Sequence, residues 1–253
     1  MMLQVEKVSR TFGGLHAVKN VSFQLAEGEF LGLIGPNGAG KTTLFNCING
    51  VYPPTGGEIV FRGQPIAGLP TYKVAHLGLA RTHQIVRPLN ELSVRENVMV
   101  GACFGRYQHT KKRARRVADE VMETVGLAGR AEQPASSLNI AQKKRLELAR
   151  ALAAEPHLLL LDEVLAGLNA SEVAVMIETI RQIHAQGVTI IMIEHIMRAV
   201  MGLSDRILVL NYGELIAQGT PSAIAANAQV IEAYLGSPEL AAQLGKEAID
   251  EPA

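Results

Sequence analysis

The stretch GPNGAGKTT, Gly35 to Thr43, sets glycines, a lysine and two hydroxyls at the spacing G-x-x-x-x-G-K-[ST]. Those residue types at that spacing suit a polyphosphate. Gly35, Pro36, Asn37, Gly38, Ala39 and Gly40 can curl so that successive N–H groups point into one concavity, and the N-terminus of a following helix adds the positive end of its dipole. Lys41 then reaches the β- and γ-phosphates, Thr42 holds Mg²⁺ through its hydroxyl, and Thr43 faces the α-phosphate side. A second chemical group is LLLLDE, Leu158 to Glu163. Four apolar residues predict a buried strand whose polar end emerges at the sheet edge where α/β ligands bind. Asp162 is placed to bind Mg²⁺ directly or through water, and Glu163 to act as general base on an attacking water.

Two further polar residues end strands. Gln84, in RTHQ, can touch Mg²⁺ and water where a helical lobe joins the core. His195, after VTIIMI, can hydrogen-bond a γ-phosphate and orient Glu163. A third segment, LNIAQKKRLELARAL (138–152), is a short loop followed by a helix. It is either a phosphate-binding loop built from unusual residues or one that has lost that task.

These groups need a scaffold. MLQVEKV (2–8) and VKNVSFQL (18–25) alternate like half-exposed strands, whereas EFLGLI (29–34) is a continuous apolar run, as in a parallel strand covered on both faces. TTLFNCING reads as a helix closing at Gly50, and PPTGGEIVFRG as a turn and a short strand. From 91 to 155 the pattern turns helical, with Ser93 and Glu96 forming a capping box. The α/β alternation then resumes: LLLLDE, a helix over 170–186, VTIIMI, a helix near 196–202, and RILVLNYG. The expected fold class is α/β, a mainly parallel core with a helical insertion.

The order GPNGAGKTT, Gln84, the LNIAQ helix, LLLLDE and His195 resembles the ATP-binding cassette ATPases, over residues 2–236. TFGGLHAVKNVSF, PPTGGEI, GLARTHQ, LSVRENV, KRLELARAL, AGLN and GTPSAIAANAQVIEAYLG look like one branch, the ATP-binding subunits of branched-chain amino acid importers. The last segment lies outside any nucleotide motif and discriminates best. The resemblance implies a P-loop NTPase (RecA-like) core, an N-terminal antiparallel β-subdomain, an α-helical subdomain inserted at about 86–155, and a tail over 237–253. It implies that Phe12, with Val18, stacks on adenine, and that the helical lobe docks cytoplasmic helices of two membrane permease subunits. It implies a second cassette, identical or not, paired head to tail, with ATP and Mg²⁺ between one phosphate loop and the other subunit's signature loop. A periplasmic substrate-binding protein then delivers cargo, and the chain sits on the cytoplasmic face of the inner membrane. A lipid or polysaccharide exporter ATPase and a non-transport cassette ATPase share the nucleotide motifs.

The family's signature loop is usually Leu-Ser-Gly-Gly-Gln; here it is Leu138, Asn139, Ile140, Ala141 and Gln142. Asn139 is a strong N-cap residue whose amide can also donate. Ile140 and Ala141 keep their N–H groups but tolerate φ > 0 badly. The expectation is a functional but altered loop; the other reading is a loop that no longer binds nucleotide. His83 stands where the branch often has Phe, Val164 where Pro is common, and Asn169 where other cassettes carry Asp. With Glu172, Asn169 can also simply cap the next helix.

The 253 residues allow one large domain, or one with an inserted lobe. Equal counts of 24 basic and 24 acidic residues give no case for a nucleic-acid partner. Cys47 and Cys103 are too few for a disulfide framework, and both are expected reduced and buried. No apolar run approaches the roughly 18 residues that span a bilayer, and the N-terminus lacks a signal-peptide pattern, so a soluble intracellular protein is expected. KKRARR (111–116) is a solvated helix face partly paired with Asp119, Glu120 and Glu123, or a patch attracted to anionic lipid.

Overall fold

Continuous apolar runs became buried strands and capped periodic runs became helices. The computed structural model describes residues 1–234, so the tail expected over 237–253 lies outside the described residues. In chain order the elements begin β1 (Leu3–Phe12), β2 (Leu15–Leu25), β3 (Phe30–Ile34), α1 (Lys41–Ile48), β4 (Gly56–Phe61) and β5 (Gln64–Pro65). There follow α2 (Thr71–His76), β6 (Leu79–Arg81), α3 (Val94–Phe104), α4 (Lys111–Thr124), α5 (Ile140–Leu152), β7 (Leu158–Asp162) and α6 (Ala170–Ala185). The rest are β8 (Thr189–Ile193), α7 (Met197–Leu203), β9 (Arg206–Asn211), β10 (Glu214–Gly219), α8 (Pro221–Ala225) and α9 (Ala228–Tyr234).

The chain forms two compact units, one of Met1–Leu69 with the described residues from Thr189, the other of Pro70–Val188. The first unit holds an antiparallel sheet in the order β2-β1-β4-β5. In it Leu3 stands opposite Leu25 on one side and Phe61 on the other. It also holds β3 between β8 and β9, parallel to both, with β10 antiparallel on β9. All five residues of β3 and all five of β8 are buried. Parallel strands need covering on both faces, which is why these segments read as unbroken apolar runs. Asp205 fixes the start of β3 by accepting the Phe30 N–H at 2.8 Å, and Arg206 donates to Glu29 at 2.8 Å.

The second unit pairs β6 with β7 in parallel and is otherwise helical. The predicted capping boxes are present: Ser93 with Glu96 opens α3 and Asn169 with Glu172 opens α6, while Asn139, expected as an N-cap, opens α5 in a box completed by Gln142. Helix α4 buries Ala114, Val117, Ala118, Val121 and Met122, leaving its basic residues outside. Their expected acidic neighbours are partly engaged elsewhere: Asp119 accepts from Arg95 at 2.7 Å, and Arg115 meets Glu132 at 3.8 Å. Cys47 is buried, and burial pushes its thiol up to about 11. Cys103 departs from expectation. It lies in the last turn of α3 beside the exposed Phe104 and is only half-buried.

Candidate functional site

In the first unit the phosphate loop leaves β3 and enters α1. Two of its glycines are required by sterics. A Cβ on Gly35 would stand 2.1 Å from the Leu210 carbonyl oxygen, and one on Gly40, at φ 101°, would stand 2.2 Å from that of Ala17. The tip of the β9–β10 hairpin braces the loop. Gly213 N–H donates to the Ala39 carbonyl at 3.0 Å, and the Gly213 carbonyl accepts from Lys19 N–H at 2.8 Å. The Lys41 ammonium donates to the carbonyls of Gly35 at 2.6 Å and Pro36 at 3.0 Å, which folds the side chain over the loop. Helix α1 has no acidic residue in its first turn and no side-chain cap. Its first N–H groups and its dipole are therefore set to meet an anion. Thr42 is exposed at this end.

Phe12 keeps an open ring, 38% exposed, with Tyr52 edge-on at 5.2 Å and the Arg10 guanidinium 4.5 Å from its centroid. Val18 is a correction. It is completely buried and offers no surface to an adenine ring. The β1–β2 ladder slips between the pairs Val8–Val21 and Arg10–Val18, so β2 carries one extra residue there. That bulge turns Val18 inward. His195, just past β8, is exposed, and its N–H donates to the Glu194 carboxylate at 3.3 Å.

The second unit brings Gln84, Asp162 and Glu163 together. Asp162 ends β7 and is 1% exposed. Its Oδ2 accepts from Arg81 at 2.6 Å and its N–H donates to Thr82 Oγ1 at 3.1 Å. Its Oδ1 is buried with no hydrogen-bond partner among the described residues. A buried carboxylate oxygen left open beside a neutralising arginine fits a hard divalent cation, directly or through water. Glu163 follows at φ 49°, a left-handed conformation that costs a non-glycine residue about 1–3 kcal/mol and tends to mark functional sites. Gln84 Nε2 donates to Glu163 Oε2 at 2.5 Å.

The signature segment is regular. Leu138 has φ −75° and Asn139 φ −73°, and none of residues 138–142 has positive φ. Ile140 and Ala141 therefore fit without strain. Asn139 Oδ1 accepts from Gln142 N–H at 2.9 Å while Gln142 Oε1 accepts from Asn139 N–H at 3.1 Å. The Asn139 amide nitrogen is thus turned away from the cap, beside an Ile140 that is 65% exposed.

Sequence reasoning missed Arg81, Lys144 and Glu147. Lys144, 6% exposed, donates to the carbonyls of Gln84 at 3.1 Å and Glu163 at 2.9 Å. Burial raises the Glu147 pKa against the pull of Arg150, the His83 N–H and Lys144. His83 is pushed the other way, down, by burial and then by Arg81 and Arg150. The available signal was three charged residues, 144, 147 and 150, at helical spacing on a face that is otherwise apolar. For Arg81 nothing local pointed to its partner, which lies 81 positions away.

With that geometry in view, residues 18–166 match the family model described as ABC transporter. The chain belongs to the ABC transporter family. Residues 214–239 match a second model, described as branched-chain amino acid ATP-binding cassette transporter. The high-affinity branched-chain amino acid transport ATP-binding protein LivG of Salmonella typhimurium is 43% identical over 249 residues, covering 93% of this chain and 98% of that protein. Among solved structures, the ADP conformation of an ATP-binding cassette of an ABC transporter matches at TM-score 0.85 and 27% identity, covering 93% of this chain and 99% of that one. The dimeric structure of a bacterial ABC transporter cassette matches at TM-score 0.79 and 25% identity, covering 87% and 99%.

Proposed function

We propose that this chain is the ATP-hydrolysing subunit of an ABC importer that powers uptake of branched-chain or related amino acids across the inner membrane. The observation that carries the reading is the match at 214–239, a segment outside every nucleotide motif and specific to that importer branch. An exporter or non-transport cassette has no such support here.

The loop Gly35–Thr43 wraps the triphosphate of ATP, with Lys41 on the β- and γ-phosphates and Phe12 against the adenine. Thr42, Gln84 and Asp162, the last through its open Oδ1, would hold Mg²⁺, which when bound neutralises charge on the transferring phosphoryl group. Glu163 takes a proton from water as its oxygen bonds to the γ-phosphorus, the bond to the β–γ bridging oxygen breaks, and ADP and phosphate leave. Gln84 holds the Glu163 carboxylate, and His195 hydrogen-bonds the γ-phosphate. A second cassette supplies its signature loop to this ATP, while Asn139, Ile140, Ala141 and Gln142 serve the partner's.

No helix among the described residues is long and apolar enough to cross a membrane. The chain attaches through permease subunits, as the importer reading requires. Ile85, Leu89, Phe104 and Tyr107 are exposed large apolar side chains in the second unit, suited to cover by permease helices. The chain then sits peripherally on the cytoplasmic face, and an external binding protein selects cargo.

Glu163→Gln tests the chemistry. It should cut hydrolysis by roughly 10²-fold or more, retain ATP binding by calorimetry, and accumulate ATP-loaded dimers on gel filtration. A Glu163→Gln protein that hydrolyses at the normal rate refutes the assignment. Transport is tested by co-purification with permeases and ATP-driven leucine uptake in proteoliposomes. Retention by ribosomes or DNA instead overturns it.

A further inference from the structure

Lys144 lies two positions beyond the LNIAQ segment, on the helix that Asn139 caps. Lysine is seldom this deeply buried unless its ammonium is held by specific acceptors. Here it donates to two backbone carbonyls at once, those of Gln84 and Glu163. Their side chains are hydrogen-bonded to each other. One ammonium therefore ties α5 to both halves of a catalytic pair.

The same face of α5 continues the grip along the Gln84 segment. Glu147 accepts the backbone N–H of His83. Arg150 donates to the Arg87 carbonyl at 3.2 Å and to the Glu147 carboxylate. Residues 144, 147 and 150 thus form a ladder at successive turns, gripping the backbone at 83, 84 and 87. Only Lys144 also reaches 163. The carbonyl it holds belongs to the residue at φ 49°, a conformation that persists only where surrounding bonds enforce it. Helix α5 is a stiff rod, so a shift at its N-terminus moves Lys144 with it.

We propose that Lys144 is a positioning residue that makes the placement of Glu163 and Gln84 depend on the placement of the signature helix. This rests on Glu163 being the general base and on the LNIAQ segment facing the partner's nucleotide. A nucleotide engaged at Asn139 then biases this chain's own base, which couples the two ATP sites of the assembled transporter. Coupling needs an element whose position both sites influence, and α5 is such an element.

The experiment compares Lys144→Met, Lys144→Arg and the neighbouring Lys143→Met in the assembled complex. ATP affinity, KM, kcat and the Hill coefficient for ATP are measured for each. Lys144→Met should lower kcat at least tenfold, leave ATP affinity within about twofold, and bring the Hill coefficient toward one. Lys144→Arg, whose guanidinium can reach both carbonyls, should recover most of the kcat, and Lys143→Met should match the parent. If Lys144→Met does not fold, Lys144→Gln, which keeps an uncharged N–H donor group on a shorter stem, is judged by the same split. Unchanged kcat and Hill coefficient, or a parallel loss of affinity and kcat that arginine does not rescue, overturns the proposal. Glu163→Gln in the same complex separates the two ideas: full hydrolysis there removes the base assignment itself, whereas silent Glu163→Gln with normal Lys144→Met removes only the role of Lys144.

Discussion

At the residue scale, the second unit concentrates charge on buried side chains, and each answers to its neighbours. His83 is the plainest case. Burial is the largest cause of its lowered pKa, followed by the cations Arg81 and Arg150, with Asp162 opposing. Its folded pKa lies below the unfolded value of 6.5. It therefore contributes stability that is fully present above pH 6.5 and lost as pH falls through the folded value, because the unfolded chain takes the proton first. His83→Phe should flatten that loss. Thermal melts at pH 7.5 and 5.5 will show it as a smaller acid-induced drop in Tm than in the parent. Parallel drops would mean that His83 does not titrate across unfolding. Glu147 beside it contributes with the opposite sign, since its raised pKa favours the folded state at lower pH. The comparison of variant with parent removes most of that contribution.

At the element scale, much of the fold was legible. Unbroken apolar runs marked β3, β7 and β8, capping boxes marked the starts of α3 and α6, and the N-cap residue Asn139 marked that of α5, because a helix leaves its first N–H groups unsatisfied unless side chains meet them. The phosphate loop was legible too, and Gly35 and Gly40 of its motif sit where a side chain would strike the backbone of Leu210 or Ala17. Less accessible was anything set by long-range register. The bulge that buries Val18 depends on how β2 pairs with β1, and alternation along one strand does not reveal an extra residue in its partner's ladder. The Arg81–Asp162 pair and the bonds from Lys144 join residues far apart in the chain, and no local pattern encodes them. The signature helix offers a direct test of an element's start. Asn139→Ala removes the cap and should cost about 1 kcal/mol of stability, read as a lowered denaturation midpoint. Asn139→Ser should keep most of it. If Asn139→Ala melts with the parent, the capping box contributes nothing to holding the loop.

At the scale of the whole molecule, the proposed functional residues divide between the units, Gly35–Thr43 and His195 in one, Gln84, Leu138–Gln142 and the Asp162–Glu163 end in the other. The departures from the family pattern fall at His83, Val164 and Asn169 and, most densely, at Asn139–Ala141, the segment proposed to face a partner's nucleotide. On the proposed head-to-tail pairing, a second cassette that is a different chain would make the two ATP sites unequal. Lys41→Ala should lower the ATPase rate of the complex more than the equivalent change in the partner, by on the order of tenfold, about 1.4 kcal/mol of barrier. Equal losses would remove the asymmetric model. The hairpin tip at Gly213 carries a practical corollary. Because Gly213 bonds to Ala39 and to Lys19, the segment matched by the branched-chain family model begins one residue after the one that braces the phosphate loop. A chimera grafting another transporter's C-terminus onto this chain must therefore splice after the tip, or forfeit the loop's shape along with the graft.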